Sequence, residues 1–301
     1  MEFRANLATS LWLFCTLLAA IGCLYALFAA WCAAALGRAA RGQPMGSKPP
    51  NGWPSVSILK PLYGAETDLL AHLSSFCRQD YPGRFEVVLG VQRPDDPAVG
   101  VVEALVGRYP ELDIRLVKSA TLHGTNRKIS NLINIHAAAR HEVVVLADSD
   151  MRVGPDYLTQ IVGALHQPGV GLVTCLYRGL PLAGLWSRLS AMAIDHHFLP
   201  SVLVGMRLGL AKPCFGSTIA LRRETLDRIG GFQAFRDQLA DDYAMGAAVR
   251  GLGLAVTVPP LVVAHACTEG SAAELYAHEL RWQRTIRLVD PAGFIGAVVT
   301  H

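Results

Sequence analysis

The hydrophobic positions of this 301-residue chain form one long apolar segment followed by a series of short alternating patterns. Residues 11–36 are 26 consecutive positions without a charged side chain, enough for a helix that crosses the hydrocarbon core of a bilayer. A secretory signal has a shorter apolar region of about 7–15 residues, so the pattern favours a retained anchor. We predict an anchor at residues 1–37 and a Pro-, Gly- and Ser-rich linker at 38–54, which lets the remainder stand off the membrane.

From residue 55 onward, strand-like and helix-like patterns alternate. Strands are predicted at 55–59, 85–91, 113–117, 142–147 and 170–175, and helices at 66–78, 97–109, 126–140 and 155–166. This alternation is typical of an α/β fold with a mainly parallel, Rossmann-like sheet. After residue 184 it weakens: residues 198–211 read as a buried or interfacial apolar segment, and residues 272–290 as a helix with one apolar side.

The composition is more apolar than that of an ordinary cytosolic domain, with 51% hydrophobic and 17% charged residues. The net charge of +3 is too small to indicate a nucleic-acid-binding protein, and no DNA- or RNA-binding motif occurs. Arg38, Arg41 and Lys48 follow the apolar segment, and this positive charge predicts that everything after residue 37 faces the cytoplasm. The seven cysteines have no zinc-ligand spacing, which indicates reduced, packed thiols.

Two carboxylates separated by one residue follow the most apolar predicted strand. The β-branched run at residues 143–147 leads directly to Asp148 and Asp150. Ligands of open α/β sheets lie outside the carboxyl ends of the strands, where two carboxylates can hold a hard divalent cation together with diphosphate oxygens. A turn is the alternative interpretation, since Asp and Ser are common turn residues.

Two further pairs of acids occupy comparable positions. Asp95 and Asp96 follow the strand at 85–91, so they either face the same crevice or form a solvated turn. Asp241 and Asp242 lie at the start of a predicted helix, where their charge also suits the helix dipole. No Gly-x-Gly-x-x-Gly follows the first strand and no Gly-x-x-x-x-Gly-Lys occurs, which excludes the usual dinucleotide and P-loop sites.

A set of short motifs between residues 55 and 290 is specific as a combination. In chain order these are Lys60-Pro61-Leu62, Gln79-Asp80-Tyr81-Pro82, Val91-Gln92 with Asp95-Asp96-Pro97-Ala98, Lys128-Ile129-x-Asn131-Leu132, Asp148-Ser149-Asp150, Asp242-Tyr243 and Arg281-Trp282. The set resembles the ceramide glucosyltransferase family. The resemblance implies a GT-A nucleotide-diphosphosugar transferase domain at residues 55–290, behind the transmembrane helix.

The resemblance also implies roles for individual residues. Asp148 and Asp150 would bind Mg²⁺ or Mn²⁺. Contacts to the UDP-sugar are expected from Pro61, Asp96, Lys128, Asp148, Arg281 and Trp282. Asp242 is the expected base for an inverting transfer to a lipid hydroxyl, and Asp241 is the alternative. Repulsion between these two carboxylates would raise the pKa of the base towards neutrality.

Within that family the chain is most similar to bacterial hopanoid-biosynthesis glycosyltransferases, through the motifs around His123, His196 and His278. The expected reaction transfers N-acetylglucosamine from its UDP donor to a hopanoid polyol at the bacterial inner membrane, with the domain facing the cytoplasm. Glucosylation of ceramide from UDP-glucose is the alternative. We expect His196 or His197 to contact acceptor or donor, against the alternative that local hydrogen bonds satisfy both.

Two positions depart from the family pattern: Arg93 replaces an acid found in many relatives, and His278 replaces Gln or Arg. Residues 291–301 turn apolar, which predicts the start of a truncated, membrane-associated segment. The alternative function from a different class is that of a membrane-tethered, lipid-binding pseudoenzyme without catalytic activity. The convergence of so many acids on one crevice argues against it.

Overall fold

The computed structural model describes residues 2–42, 49–50, 52–291 and 294–295 of the chain. It begins with one helix, α1 (Glu2–Gly42), which continues past the predicted anchor limit at residue 37. Its segment Thr9–Gly42 is long and apolar enough to cross a membrane, and the most apolar window is only 6% buried, unlike the core helix of a soluble domain. Residues 43–48 and 51 of the predicted linker, and 292–293 and 296–301 of the predicted C-terminal segment, lie outside the described residues.

Ten strands occur in the described part of the chain, and they form two sheets. They are β1 (Val56–Pro61), β2 (Phe85–Val91), β3 (Asp113–Lys118), β4 (Val143–Leu146), β5 (Met151–Arg152), β6 (Val170–Thr174), β7 (Leu176–Pro181), β8 (Ile219–Arg222), β9 (Ala255–Thr257) and β10 (Val262–Cys267). The main sheet has the order β3-β2-β1-β4-β8-β6-β9, and the small one has the order β5-β10-β7.

The helices after α1 are α2 (Leu69–Cys77), α3 (Ala98–Arg108), α4 (Arg127–His136), α5 (Tyr157–Leu165), α6 (Leu185–Ala193), α7 (Leu199–Arg207), α8 (Arg223–Arg228), α9 (Asp241–Gly251) and α10 (Ala272–Val289). A π-helical turn, Ile194–Phe198, joins α6 to α7, and a 3-10 turn, Phe232–Phe235, follows α8. The segment from α6 to α7 is therefore helical without interruption.

The central strands of the main sheet are buried on both faces, because alternate residues of these strands point into two separate apolar clusters. Ile58 of β1 packs with α2, α3 and α5, whereas the next residue, Leu59, packs with α4 and α9. β4 repeats this pattern, with Val145 in the first cluster and Leu146 in the second. This three-layer arrangement fixes the carboxyl ends of β1 and β4 side by side.

The prediction of a Rossmann-like α/β sheet is confirmed, with one correction. Strands β1 to β4 are parallel, as expected, but β8 lies antiparallel between β4 and β6, so the sheet is mixed. The sequence did not reveal β8 because its three apolar residues, Ile219 to Leu221, show no period that separates a strand from a buried helical turn. The small sheet was missed as well.

Helix α1 packs directly on α7, and the stand-off of the domain from the membrane stays a prediction. The Tyr25 and Ser201 hydroxyls share a hydrogen bond of 3.0 Å, and the Arg207 guanidinium carbon lies 5.1 Å from the ring centroid of Trp31. The buried cluster between the helices contains Ala29, Cys32, Leu203 and Val204. The end of the apolar segment is therefore covered by protein.

A buried carboxylate ties together the amino ends of the parallel strands. The side chain of Glu86 is fully buried and accepts hydrogen bonds from Ser57 Oγ at 2.6 Å and from the backbone nitrogen of Arg140 at 2.7 Å. Arg115 and the Arg140 guanidinium form ion pairs with its other oxygen. Burial raises the pKa of a carboxyl, but these donors outweigh it and lower the pKa of Glu86 to about 2.

We predict that Glu86→Ala lowers the free energy of unfolding by about 2–3 kcal/mol, since it removes hydrogen bonds to a charged group. The pKa of Glu86 is depressed from 4.5 in the folded state, so the advantage of the wild type is complete above pH 4.5 and declines as the pH falls towards 2. Thermal unfolding in detergent at several pH values measures the difference. The exposed Glu103→Ala on α3 is the control, and an equal loss there would contradict the assignment.

Candidate active site

A cleft of about 1350 Å³ opens at the carboxyl ends of β1 and β4. The first turns of α4 and α9, strand β10 and one side of α10 supply its walls. Eight of the predicted site residues line it: Pro61, Lys128, Asp148, Asp150, Asp241, Asp242, Arg281 and Trp282. The fold therefore brings together side chains that are far apart in sequence.

Lys128 connects two of the acid groups. Its Nζ lies 2.7 Å from Asp148 Oδ1 and 3.5 Å from Asp241 Oδ2. Burial raises the pKa of Asp148, and Lys128 opposes that rise. Burial also lowers the pKa of Lys128, but the neighbouring acids outweigh it and raise that pKa above its ordinary value, so the ammonium stays charged. Asn126 caps α4 by accepting from the backbone nitrogen of Ile129 at 3.1 Å, which fixes the turn that carries Lys128.

Asp150 keeps one carboxylate oxygen available. Its Oδ2 lies 3.5 Å from His265 Nδ1 on β10, while Oδ1 is buried and has no hydrogen-bond partner among the described residues. Burial would raise the pKa of Asp150, but His265, Lys60 and Lys128 outweigh burial and lower it. Asp150 is therefore a carboxylate at neutral pH.

The donor set formed by Asp148 and Asp150 fits Mg²⁺ or Mn²⁺, because both ions prefer carboxylate oxygens and water. The buried, unpartnered Oδ1 of Asp150 supports this fit. Within the described residues, no group of three or more His, Cys, Asp or Glu side chains forms a complete metal site. The protein thus offers two carboxylates and leaves further positions to ligand oxygens or water, as is usual for Mg²⁺.

The backbone of Gly216, just before β8, links two acid groups. Its N–H donates to Asp242 Oδ2 at 3.0 Å, and its carbonyl oxygen accepts from the backbone nitrogen of Asp148 at 3.2 Å. A Cβ at this position would lie 2.6 Å from Asp148 Oδ2 and 3.1 Å from Lys128 Nζ. A side chain at residue 216 is therefore incompatible with the observed position of the Asp148 carboxylate.

Asp242 has the properties of a proton acceptor that works near neutral pH. Its Oδ1 accepts from the backbone nitrogen of Tyr243 at 2.7 Å, so the carboxylate is held on both sides by backbone donors. Burial and then repulsion from Asp241 raise the pKa of Asp242 to about 6, against the effect of Lys128. Asp241 differs because its own carboxylate is next to Lys128 and receives a 3.4 Å hydrogen bond from Asn126.

Helix α10 forms one wall of the cleft and has no fully buried residue. Arg281, Trp282 and Ile286 line the cleft from it. The Trp282 ring is edge-on to His278, with centroids 4.6 Å apart. His278 Nδ1 in turn lies 2.6 Å from Glu269 Oε1. At the position where His278 departs from the family pattern, it thus connects Trp282 to a buried carboxylate.

Three predicted residues do not line the cleft. The carboxylate of Asp96 accepts from the backbone nitrogens of Gly64 and Ala98 at 3.0 and 2.9 Å, which ties the loop after β1 to the start of α3. His196 and His197 lie on the π-helical turn. Ligand contacts by these three residues stay predictions.

Sequence reasoning missed three residues of the site: Gly216, His265 and Glu269. His265 lies inside the apolar strand β10, and Glu269 follows that strand in a loop, so neither has a metal-ligand or catalytic spacing. Gly216 acts through its backbone and through its lack of a Cβ. The one available signal was the small Gly-Ser-Thr sequence at 216–218 before an apolar run, which indicates close backbone approach.

Comparison with known proteins gives a family match over nearly the whole chain. The family model described as glycosyl transferase family 21 matches residues 14–301. Ceramide glucosyltransferase 1 of Caenorhabditis elegans is 26% identical over 210 residues, covering 69% of this chain and 45% of that protein. Ceramide glucosyltransferase of Komagataella phaffii is 28% identical over 193 residues, covering 57% and 38%. The chain thus spans less than half the length of these relatives.

Solved structures confirm the predicted GT-A fold. A mannosyltransferase from Pyrobaculum calidifontis in complex with GDP-Man and Mn²⁺ superposes with a TM-score of 0.62 at 25% identity, covering 89% of this chain and 73% of that one. GalNAc-T7 with UDP, GalNAc and Mn²⁺ has a TM-score of 0.53 at 12% identity, covering 80% and 49%, which supports the fold alone.

We predict that Gly216→Ala weakens Mn²⁺-dependent binding of UDP by about 10- to 100-fold, the usual scale for losing a group that orients a metal ligand. The added methyl group meets the end of the Asp148 side chain, so the carboxylate must turn away while the main chain stays in place. Titration calorimetry of the full chain in detergent measures the affinity.

The matched control is Gly100→Ala on α3, where an added Cβ meets nothing within 4 Å. We expect it to leave the affinity unchanged. Wild-type affinity in Gly216→Ala, with its fold intact, would show that the position of Asp148 is not needed.

Proposed function

This chain belongs to glycosyl transferase family 21, and we propose that it transfers a sugar from a nucleotide-sugar donor to a hydroxyl group of a membrane lipid. The observation that carries the proposal is that the cleft has both charged and apolar side chains in its lining. Lys128, Asp148 and Asp150 line the cleft beside the end of β4, and its lining on α10 includes the apolar Ile286 and Val289. A nucleotide diphosphate needs the charged part, and a lipid needs the apolar part.

We assign the donor to the end of β4. Asp148 and Asp150 would hold Mg²⁺ or Mn²⁺, which when bound supplies positive charge to the departing diphosphate. Lys128 is already charged at this position, and Arg281 faces the same cleft from α10. Arg281 is suited to phosphate because a guanidinium can donate two parallel hydrogen bonds. Pro61 and Trp282 line the same space, and we propose that they contact the nucleotide sugar.

We propose Asp242 as the general base. Its carboxylate takes the proton of the lipid hydroxyl while that oxygen forms a bond to the anomeric carbon. The bond from the anomeric carbon to the diphosphate oxygen breaks at the same time, and the nucleoside diphosphate leaves with the electron pair. This single displacement inverts the anomeric configuration. Asp241 is the weaker candidate because Lys128 and Asn126 already engage it.

The identity of the donor sugar and of the lipid acceptor rests on resemblance to bacterial hopanoid-biosynthesis glycosyltransferases. We propose UDP-N-acetylglucosamine as donor and a hopanoid polyol as acceptor, supported by the motifs around His123, His196 and His278. The arginines after the apolar segment support transfer at the cytoplasmic leaflet of a bacterial inner membrane. The ceramide glucosyltransferase relatives favour the second candidate, UDP-glucose with ceramide.

We predict that Asp242→Asn lowers turnover by about a hundredfold or more while donor affinity stays unchanged, because a positioned base commonly contributes that much. The wild-type rate should fall as the pH drops below about 6, where the Asp242 carboxylate becomes protonated. Release of nucleoside diphosphate at several pH values measures both effects. The exposed Asp227→Asn on α8 is the control, and a greater loss in Asp241→Asn than in Asp242→Asn would move the role to Asp241.

The substrates are tested by offering the membrane-embedded chain both donors and both acceptors in all four pairings, with and without EDTA. We expect most product from UDP-N-acetylglucosamine with bacteriohopanetetrol, and none after removal of divalent cations. Preferential glucosylation of ceramide would replace the hopanoid assignment. Binding of either lipid without transfer in any pairing would favour a lipid-binding pseudoenzyme.

A further inference from the structure

Helix α6 exposes its apolar side chains and buries small polar ones, the reverse of an ordinary surface helix. Leu185, Leu189 and Met192 are 63%, 38% and 54% exposed, and their spacing puts them on one side of the helix. The opposite side buries Ser187 and Ser190 against the domain. We call Leu185, Leu189 and Met192 the α6 apolar face.

The α6 apolar face points in the same direction as the contact between α7 and the membrane helix. The segment from α6 to α7 is one continuous helix, and its π-helical turn takes up about one extra residue. With that residue counted, Val204 falls on the same side as Leu189, and Arg207 falls at the edge of that side. Val204 is buried in the cluster shared with α1, and Arg207 lies over Trp31 of α1. One side of this long helix therefore meets α1 at one end and solvent at the other.

Basic side chains border the α6 apolar face. Arg188 lies on α6 at one edge of the α6 apolar face. Arg207 of α7 lies along the same edge. Both arginines are exposed, as is Lys212 after the end of α7. Exposed apolar side chains bordered by positive charge are the pattern of a helix that lies in the headgroup region of a bilayer.

We propose that the α6 apolar face is a second membrane-contact site, embedded in the lipid bilayer beside α1 with Arg188 at the phosphates. Its occupant is lipid because the face continues the contact surface of the membrane-spanning helix, and because its charged border matches anionic headgroups. This proposal concerns how the domain sits on the bilayer, so it does not depend on the transfer reaction proposed above.

The contact would set the depth of the cleft. On its buried side α6 carries Ser190, whose hydroxyl donates to Glu269 at 3.0 Å, and Glu269 also binds His278 of α10. The α6 apolar face, Glu269 and the cleft wall therefore form one connected unit. Embedding α6 would therefore hold this wall of the cleft at a fixed distance from the bilayer.

The depth of the face can be measured with an environment-sensitive fluorophore, NBD, attached to Leu189→Cys in the full chain. Cys15 and Cys23 are the exposed cysteines of the described residues and are first replaced by Ser. The protein is reconstituted in phosphatidylcholine vesicles with phosphatidylglycerol, using lipids brominated at different acyl carbons. We expect quenching that is strongest about 5–10 Å below the phosphates.

The matched control is Val106→Cys on α3, a position that is 43% exposed on a helix packed against α2, β2 and β3. We expect no quenching there. Met192→Cys is a second probe of the face in case one label disturbs folding. Equal lack of quenching at residues 106, 189 and 192 would overturn the proposal. Blue-shifted emission at 189 and 192 without quenching by brominated lipid would also overturn it, since a second protein chain would then cover the face.

Discussion

The ion pair between Lys128 and Asp148 is the interaction on which the site depends. Four carboxylates, from Asp148, Asp150, Asp241 and Asp242, share one cleft, where their mutual repulsion is weakly screened. Lys128 contacts two of them, and Lys60 Nζ donates to the backbone oxygen of Asp148, while burial lowers the pKa of Lys60 to about 7. Because the Lys128 ammonium stays charged between Asp148 and Asp241, these acids can remain close together before any ligand arrives.

The elements that could be predicted from sequence are those that a pattern of neighbouring residues indicates. Strand β2 has the predicted bounds, and the carboxylates after β4 lie in the expected crevice, because apolar period and strand ends are local properties. Strand β8 and the small sheet escaped prediction because several of their strands are too short to show an apolar period, as in the four-residue β8 and the two-residue β5. His265 reaches the site only because β10 pairs with β7 and β5, which no local pattern encodes.

The difference between local and distant signals also applies to the acids Asp242 and Asp96. The Asp242-Tyr243 motif identified Asp242, and the adjacent Asp241 predicted that repulsion would raise the pKa of Asp242. The sequence did not indicate that backbone donors would hold Asp242, since one of these donors is Gly216 on a different element. For Asp96, the structure contains a buried carboxylate, not the solvated turn, and this carboxylate organises two loops through backbone nitrogens.

The packing of α1 on α7 has a consequence for biogenesis. Leu203 and Val204 complete a core whose other half, Ala29 and Cys32, belongs to the apolar helix α1. The domain therefore completes this core only together with α1, and a shortened chain beginning after α1 would leave that half-core open to water. Such a chain should aggregate or recruit detergent at α7, so the anchor acts as an intramolecular assembly partner as well as a tether.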